Sequence, residues 1–262
     1  MIVGGPLDFI PVWVLFLATL VVVLVSVEIG HRLGSYRRVK PDHEEEGPVG
    51  AMVAAMLGLL AFLLAFTFSL AASRFDTRKD LVLEEANAIG TTYLRAAMLP
   101  DRRNEIRSLL RQYVEARADL RSANVDEVRR RSEALQNQIW DQATGVAERN
   151  PNPIVALFVA SLNDTIDVHG KRVHAITQNR IPAAIWGSLY LVAALALTSM
   201  GYHAGVVGKH RPLAVFAVAV SFSAVLWLIA DLDRPGEGLL RVSQQAMVDL
   251  RASMTEPATT KP

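Results

Sequence analysis

Residues 47–73 read GPVGAMVAAMLGLLAFLLAFTFSLAAS, and this run contains no Asp, Glu, Lys or Arg. Three further charge-free runs cover residues 9–27, 181–208 and 212–230. An α-helix rises about 1.5 Å per residue, so each run is long enough to cross a hydrocarbon layer of about 30 Å. The sequence therefore predicts an all-α integral membrane protein with four transmembrane helices.

The composition agrees with this fold class and narrows the choice of partners. Hydrophobic residues make up 51% of the chain, and 27 basic against 26 acidic side chains leave a formal net charge of +1. A chain so close to neutrality has no overall field to attract a polyanion, so we expect a lipid bilayer and no nucleic acid as its partner. Cysteine is absent, which excludes disulfides and thiolate metal sites.

The segment between the second and third runs has a different pattern. Apolar residues recur there at spacings of three and four, as an amphipathic helix requires; examples are Ile106, Leu109, Leu110, Tyr113 and Val114. The sequence NPNP at 150–153 ends one helix and starts another, because proline lacks an amide donor. We predict transmembrane helices 1 and 2 in residues 1–73, a soluble helical domain in 74–180, transmembrane helices 3 and 4 in 181–234, and a C-terminal tail in 235–262 that is disordered from Ser253.

The short loops indicate an orientation. Four basic residues lie in 32–40, after the first run, and Lys209 and Arg211 follow the third. Short loops rich in Lys and Arg stay in the cytoplasm, so these charges place the helical insert outside the cytoplasm. The abundance of arginine is typical of a GC-rich bacterial source, which makes the predicted location a bacterial plasma (inner) membrane, crossed several times.

The run at 47–73 also carries a stripe suited to a pore. Small and aromatic residues recur every four positions, with two hydroxyl groups beside them: Gly58, Phe62, Phe66, Leu70, Ser69 and Ser73. A symmetric oligomer turns such a stripe into rings, and apolar rings form constrictions that gate by dewetting. Aromatic edges carry partial positive charge that tolerates an anion. Ordinary helix packing or contact with lipid is the more common origin of an isolated stripe of this kind.

Further motifs resemble those of a known family. Phe62 and Phe66 precede the pair Arg74-Phe75 as the aromatic neck residues of bestrophins precede an Arg–aromatic pair. Nearly the whole chain is similar to bacterial bestrophin-like proteins, and the similarity is carried by segments 62–99, 163–172, 181–182 and 231–235. This resemblance implies a homo-oligomeric ion channel, pentameric in bestrophins, that passes anions in most members and cations in some bacterial ones. It also implies a cytosolic insert, opposite to the side indicated by the loop charges.

The resemblance has two departures. Gly58 stands at the position of the third neck residue. The acidic run after the fourth helix, which in bestrophins helps to bind calcium, is reduced here to Asp231 and Asp233. This reduction argues against gating by calcium. Calcium at these two residues is the one cofactor that the resemblance implies, and we expect no other.

Polar residues close to the helix ends form a second candidate site, for gating or ion binding. The four-span topology places all of them on one side of the membrane: Arg74, Glu84, Glu85, Asn87, Asn163, Asp164, Asp167, His169, Arg172, Asp231, Asp233 and Arg234. Clustered carboxylates favour a hard cation, which takes six to eight oxygen ligands. Arginines among them favour an ion-pair network that fixes geometry instead. Both alternatives stay open at this point.

Signatures of enzymes are absent from the sequence. It contains no G-x-S-x-G, no H-E-x-x-H and no Rossmann fingerprint, and no carboxylate lies in the middle of a span. We expect no enzymatic activity. Two functions remain: a homo-oligomeric channel, anion-conducting and lined by the second helix, and a non-conducting membrane sensor or scaffold whose insert binds a ligand or partner.

Overall fold

A computed structural model describes residues 8–38, 49–118, 125–208, 212–235 and 238–255. Every regular element in these ranges is an α-helix, as the sequence predicts. The helices are α1 (Val12–Arg38), α2 (Val49–Ala96), α3 (Arg103–Ala118), α4 (Val125–Arg149), α5 (Pro153–Thr177), α6 (Ala183–Val207), α7 (Pro212–Asp233) and α8 (Gln245–Thr255).

The described residues divide into two compact units. The membrane unit contains residues 8–75 and 180–241, and the helical unit contains residues 76–179 and 242–255. Helix α2 contributes to both units. Its apolar part, which ends at Ser73, belongs to the membrane unit, and most of its remainder, which carries charged residues, belongs to the helical unit.

Within the described ranges, four helices are long and apolar enough to cross a membrane, as many as the sequence predicts. They are α1, α2, α6 and α7. Helix α2 has 48 residues and is therefore about 70 Å long, more than twice the thickness of a hydrocarbon layer. A large part of α2 must lie outside that layer.

Glycines allow α1 and α6 to approach closely. Gly30 and Gly34 on α1 face Gly201 and Gly205 on α6, and both pairs have the spacing Gly-x-x-x-Gly. A Cβ atom added to Gly30 would lie 1.9 Å from the backbone oxygen of Thr198. Only a residue without a side chain fits there, and close backbone packing of this kind is a common way for helices to associate in membranes.

The core of the membrane unit joins α2 to α6 and α7. Leu60, Leu64 and Ala71 lie on one face of α2 and are buried against apolar residues that include Trp186 and Leu226. Their spacing of four and seven residues puts them on one helical stripe. The described residues leave the opposite face of α2 uncovered.

The core of the helical unit confirms the amphipathic pattern. Ile106, Leu110, Tyr113 and Val114 of α3 are fully buried, and they pack with α4, α5 and the end of α2. The NPNP sequence acts as predicted, because α4 ends at Arg149 and α5 starts at Pro153. The side chain of Asn152 caps α5 by accepting hydrogen bonds from the amides of its first turn.

The prediction of disorder from Ser253 is wrong for residues 253–255, which belong to α8. This helix lies within the predicted C-terminal tail and packs onto the helical unit through Met247 and Met254, both buried. The phenol of Tyr93 donates to the backbone oxygen of Met254 at 3.3 Å. The Thr- and Pro-rich composition favoured disorder in the prediction. The buried side chains of Met247 and Met254, seven residues apart, instead hold this short helix in place. Residues 256–262 lie outside the described residues.

Candidate functional site

The predicted pore stripe lies on the uncovered face of α2. The phenyl ring of Phe62 is 66% exposed and that of Phe66 is 64% exposed. Of the other stripe residues, Leu70 is half-buried and three are exposed: Gly58, Ser69 and Ser73. Burial also distinguishes α2 from the other spans. In the most apolar 18-residue stretch of α2, 17% of the residues are buried, whereas the share is 28% in each of the other three spans. Helix α2 is therefore the span with the most surface left for another subunit or for a pore.

Glu85 lies at the centre of a buried charged cluster in the helical unit. Its carboxylate accepts hydrogen bonds from Tyr113 at 3.0 Å and from Arg117 at 3.0 Å, and it forms an ion pair with Arg172. All four side chains are buried. The cluster joins α2, α3 and α5, and a buried carboxylate held by two guanidinium groups is well compensated.

Tyr113 links this cluster to two further side chains. Its oxygen accepts from Gln136 at 3.0 Å and lies 3.0 Å from Nδ1 of His169. The phenol has one proton and donates it to Glu85, so Nδ1 of His169 carries the proton that completes the network. Nε2 of His169 is buried and makes no hydrogen bond within the described part of the chain.

The charges of the cluster shift its pKa values in opposite directions. Burial opposes ionisation of Glu85, but the charge of Arg117, the hydrogen bond with His169 and the charge of Arg172 hold the pKa of the Glu85 carboxyl well below its usual range. Burial and the charge of Glu85 raise the pKa of Tyr113 well above 10.0. Glu85 is therefore ionised and Tyr113 is protonated at neutral pH.

The remaining predicted residues of the helical unit lie at its surface. Glu84, Asn87, Asp164 and Asp167 line a groove of about 680 Å³ between α2 and α5. Lys171 crosses this groove and pairs with Glu84 at 3.2 Å. Asn163 donates to Asp167 at 3.2 Å on the same surface. In the helical unit, the predicted polar cluster thus separates into a buried core around Glu85 and an open groove.

The predicted residues of the membrane unit form a third group around Arg180. Its guanidinium donates to Asp8 through two nitrogens, at 2.8 and 2.5 Å, and its Nε donates to Asp233 at 3.0 Å. Asp233 also accepts from the backbone amide of Ile181 at 3.0 Å and lies 3.7 Å from Arg74. Burial opposes the charge of Arg180, but its hydrogen bond with Asp8 and the charges of Asp233 and Asp8 raise the pKa of its guanidinium above the ordinary value. These contacts join the segment before α1, the start of α6 and the end of α7.

Asp231 and Arg234 complete this group at the end of α7. The carboxylate of Asp231 is fully buried and accepts from the amides of Leu239 and Leu240 at 3.0 and 2.9 Å. Gly238 has φ +112°, and a Cβ atom there would lie 1.9 Å from the Asp231 carboxylate, so glycine is required for this turn. Arg234 donates to the backbone oxygen of Ile10 at 2.6 Å.

Sequence reasoning missed several residues that complete these groups. Asp8 and Arg180 were not predicted as site residues, although each immediately precedes an apolar run and is therefore placed at a helix end. Arg117 follows Tyr113 by four residues, and a charge on the buried face of a helix needs a buried partner. Both signals are present in the printed sequence.

The four apolar helices and the position of the polar groups define a multi-pass α-helical membrane protein. The family model of the Bestrophin-like domain matches residues 14–247 of the chain. The chain belongs to the bestrophin-like family, as the motifs around Phe62 and Arg74 indicate.

Solved structures show the same fold. The chain is similar to a bacterial Bestrophin homolog from Klebsiella pneumoniae, with 17% identity, a TM-score of 0.64, and coverage of 92% of this chain and 96% of that chain. A variant of that homolog matches with 16% identity, a TM-score of 0.67, and coverage of 91% and 97%. No curated protein sequence matches the chain.

Proposed function

We propose that this protein is a homo-oligomeric channel in which α2 of each subunit lines an anion-conducting pore and Phe62 and Phe66 form its narrowest part. The observation that carries the proposal is the exposed stripe of α2, which leaves two phenyl rings uncovered in a span whose other face is buried. A symmetric assembly converts that stripe into stacked aromatic rings.

The chemistry of the stripe supports a pore more than a lipid-facing surface. Gly58, Ser69 and Ser73 are small or polar and offer little hydrophobic area to acyl chains. Large aliphatic residues are exposed on the other spans, among them Leu191 of α6 and Leu213 of α7, and these offer acyl chains more hydrophobic area than the small residues of the stripe do. Phenyl edges present partial positive charge to a passing ion, which favours anions over cations.

Family membership supports conduction and a pentamer, since bestrophins are the family that the motifs resemble. Native mass measurement in detergent tests the assembly. A pentamer is the expected result, whereas a monomer leaves no ring and contradicts the proposal.

We place the protein in the bacterial plasma (inner) membrane with the helical unit outside the cytoplasm, on the strength of the short-loop charges. The family resemblance supports the opposite side. The chain has no cysteine, so a single cysteine at exposed Ser108 of α3 gives a direct test. Labelling in intact spheroplasts by an impermeant maleimide is expected; labelling only after lysis contradicts this orientation.

A second candidate is a non-conducting sensor or scaffold, and the groove between α2 and α5 favours it. The groove offers about 680 Å³ with both carboxylate and ammonium groups in its walls. A ligand there must be polar. This reading predicts ligand binding without ion flux.

Flux through reconstituted liposomes separates the two candidates. Purified protein is expected to pass chloride faster than potassium, and Phe66→Ala is expected to increase the flux because it widens the narrow part. Phe216→Ala is the matched control, since Phe216 lies on α7 and is 54% exposed. Absence of flux from the parent and from Phe66→Ala, with the oligomer intact, contradicts the channel and favours the sensor.

A further inference from the structure

The segment before α1 is fastened to the membrane unit by arginine side chains. Arg180 donates two hydrogen bonds to Asp8 and one to Asp233, and it is largely buried between them. Arg234 reinforces the same connection through the backbone oxygen of Ile10. We call the triplet Asp8, Arg180 and Asp233 the arginine clasp.

Calcium, which the family resemblance implies at Asp231 and Asp233, does not fit these surroundings. Both oxygens of Asp231 already accept backbone amides, and both oxygens of Asp233 already accept N–H donors. A calcium ion needs six to eight oxygens whose lone pairs point towards it. Within the described residues, no three acidic or histidine side chains are grouped as a metal site requires.

The charge balance leads to the same conclusion. Asp8 and Asp233 face the guanidinium groups of Arg180, Arg74 and Arg234 at distances of 2.5 to 3.8 Å. Each carboxylate is therefore already neutralised by a cation that belongs to the chain. A divalent ion at this position would be repelled by these guanidinium groups and would have to displace them.

We propose that the guanidinium group of Arg180 takes the place of a metal ion at this end of the membrane unit. It holds the segment before α1 to the end of α7, so that calcium is not needed there. A guanidinium fork is well suited to this task, because its planar donors reach two carboxylates at fixed angles. The cation is covalently attached, so chelators cannot remove it. The inference concerns the fold of the membrane unit and does not depend on whether the protein conducts ions.

The test uses the full-length protein in detergent and measures calcium directly. Titration with CaCl₂ is expected to show no stoichiometric binding, and thermal unfolding in CaCl₂ is expected to match that in EGTA. An ion that bound only the folded protein would raise the melting temperature. Stoichiometric calcium binding together with a higher melting temperature overturns the proposal.

Hydrogen exchange then tests the role of Arg180. Arg180→Gln removes the positive charge and shortens the side chain, and the amides of residues 8–15 are expected to exchange several-fold faster. Arg241→Gln is the matched control, because Arg241 is exposed in the same unit and bonds only to Gly238 within the described contacts. If Arg180→Gln does not fold, Arg180→Lys keeps the charge and removes the fork, and the same acceleration is expected. Unchanged exchange at residues 8–15 in a folded variant contradicts the proposal.

Discussion

The phenol of Tyr113 donates to the carboxylate of Glu85 across 3.0 Å, and neither side chain reaches solvent. The bond connects the middle of α3 to the charged part of α2, the helix whose apolar part carries the exposed phenylalanines. Any ionised group buried this deeply costs several kcal/mol in desolvation unless its partners compensate it. The helical unit therefore depends on the integrity of the Glu85 cluster.

Replacing Glu85 by glutamine is expected to destabilise the protein strongly. The change leaves Arg117 and Arg172 buried without a counter-charge, which typically costs about 3–5 kcal/mol. Thermal unfolding in detergent measures the effect. Glu84→Gln is the control, since Glu84 pairs with Lys171 at the surface and such pairs contribute about 0–1 kcal/mol. Equal melting temperatures for the two variants would contradict this assignment.

Acid is expected to weaken the helical unit through the same residue. The folded state holds the pKa of Glu85 below its ordinary value of 4.5, so the unfolded chain takes up this proton first as the pH falls. The stability that ionised Glu85 contributes is complete above about pH 4.5 and is lost progressively below it. Melting temperatures recorded from pH 7 to pH 3 should therefore fall less steeply in Glu85→Gln than in the parent. Parallel curves would assign the acid sensitivity to other carboxylates.

The close contact of α1 and α6 predicts a strict requirement for glycine. Gly30→Ala puts a methyl group against the backbone oxygen of Thr198, and backbone cannot move aside as a flexible side chain can. Overpacking of this kind typically costs about 1–3 kcal/mol. Gly187→Ala on α6 is the control, because nothing lies within 4 Å of a Cβ atom there. A melting temperature for Gly30→Ala as high as that of Gly187→Ala would show that the two helices are not packed as described.

Asp231→Asn is expected to loosen the turn that follows α7. The asparagine amide nitrogen would face one of the two backbone amides that the carboxylate now accepts, which leaves a buried donor unsatisfied. Such a loss typically costs about 1–3 kcal/mol. Surface-exposed Asp249→Asn serves as the control, and hydrogen exchange at residues 238–242 gives the local readout. Unaltered exchange there would mean that Asp231 does not hold the turn.

The membrane spans could be predicted from the sequence alone, because charge-free runs of this length have few other interpretations. The amphipathic stripe of α3 was equally clear, since the burial of Ile106 and Leu110 follows from their spacing alone. The helix α8 was missed because it is short, with 11 residues, and its stability comes from tertiary contacts of Met247 and Met254.

The candidate sites were predicted only in part, because the sequence identifies residue types but does not determine which of them meet. Glu85 and Glu84 are neighbours in sequence, yet a helix turns about 100° between them, so one is buried and the other faces the surface groove. The pairing of Asp8 with Arg180 joins residues far apart in the chain, and no local pattern indicates it. The Gly30 contact required knowledge of the partner helix, although Gly-x-x-x-Gly in two spans was visible in the printed sequence.

The most direct test of the central claim is chemical modification of a cysteine placed on α2. Because the chain has no cysteine, Phe66→Cys and Phe216→Cys each carry a single thiol. If α2 lines the pore, a charged methanethiosulfonate reagent will change the ion flux of Phe66→Cys liposomes and leave that of Phe216→Cys unchanged. An identical response of the two variants, or flux from Phe66→Cys that modification does not alter, would show that this face of α2 does not line a conducting pathway.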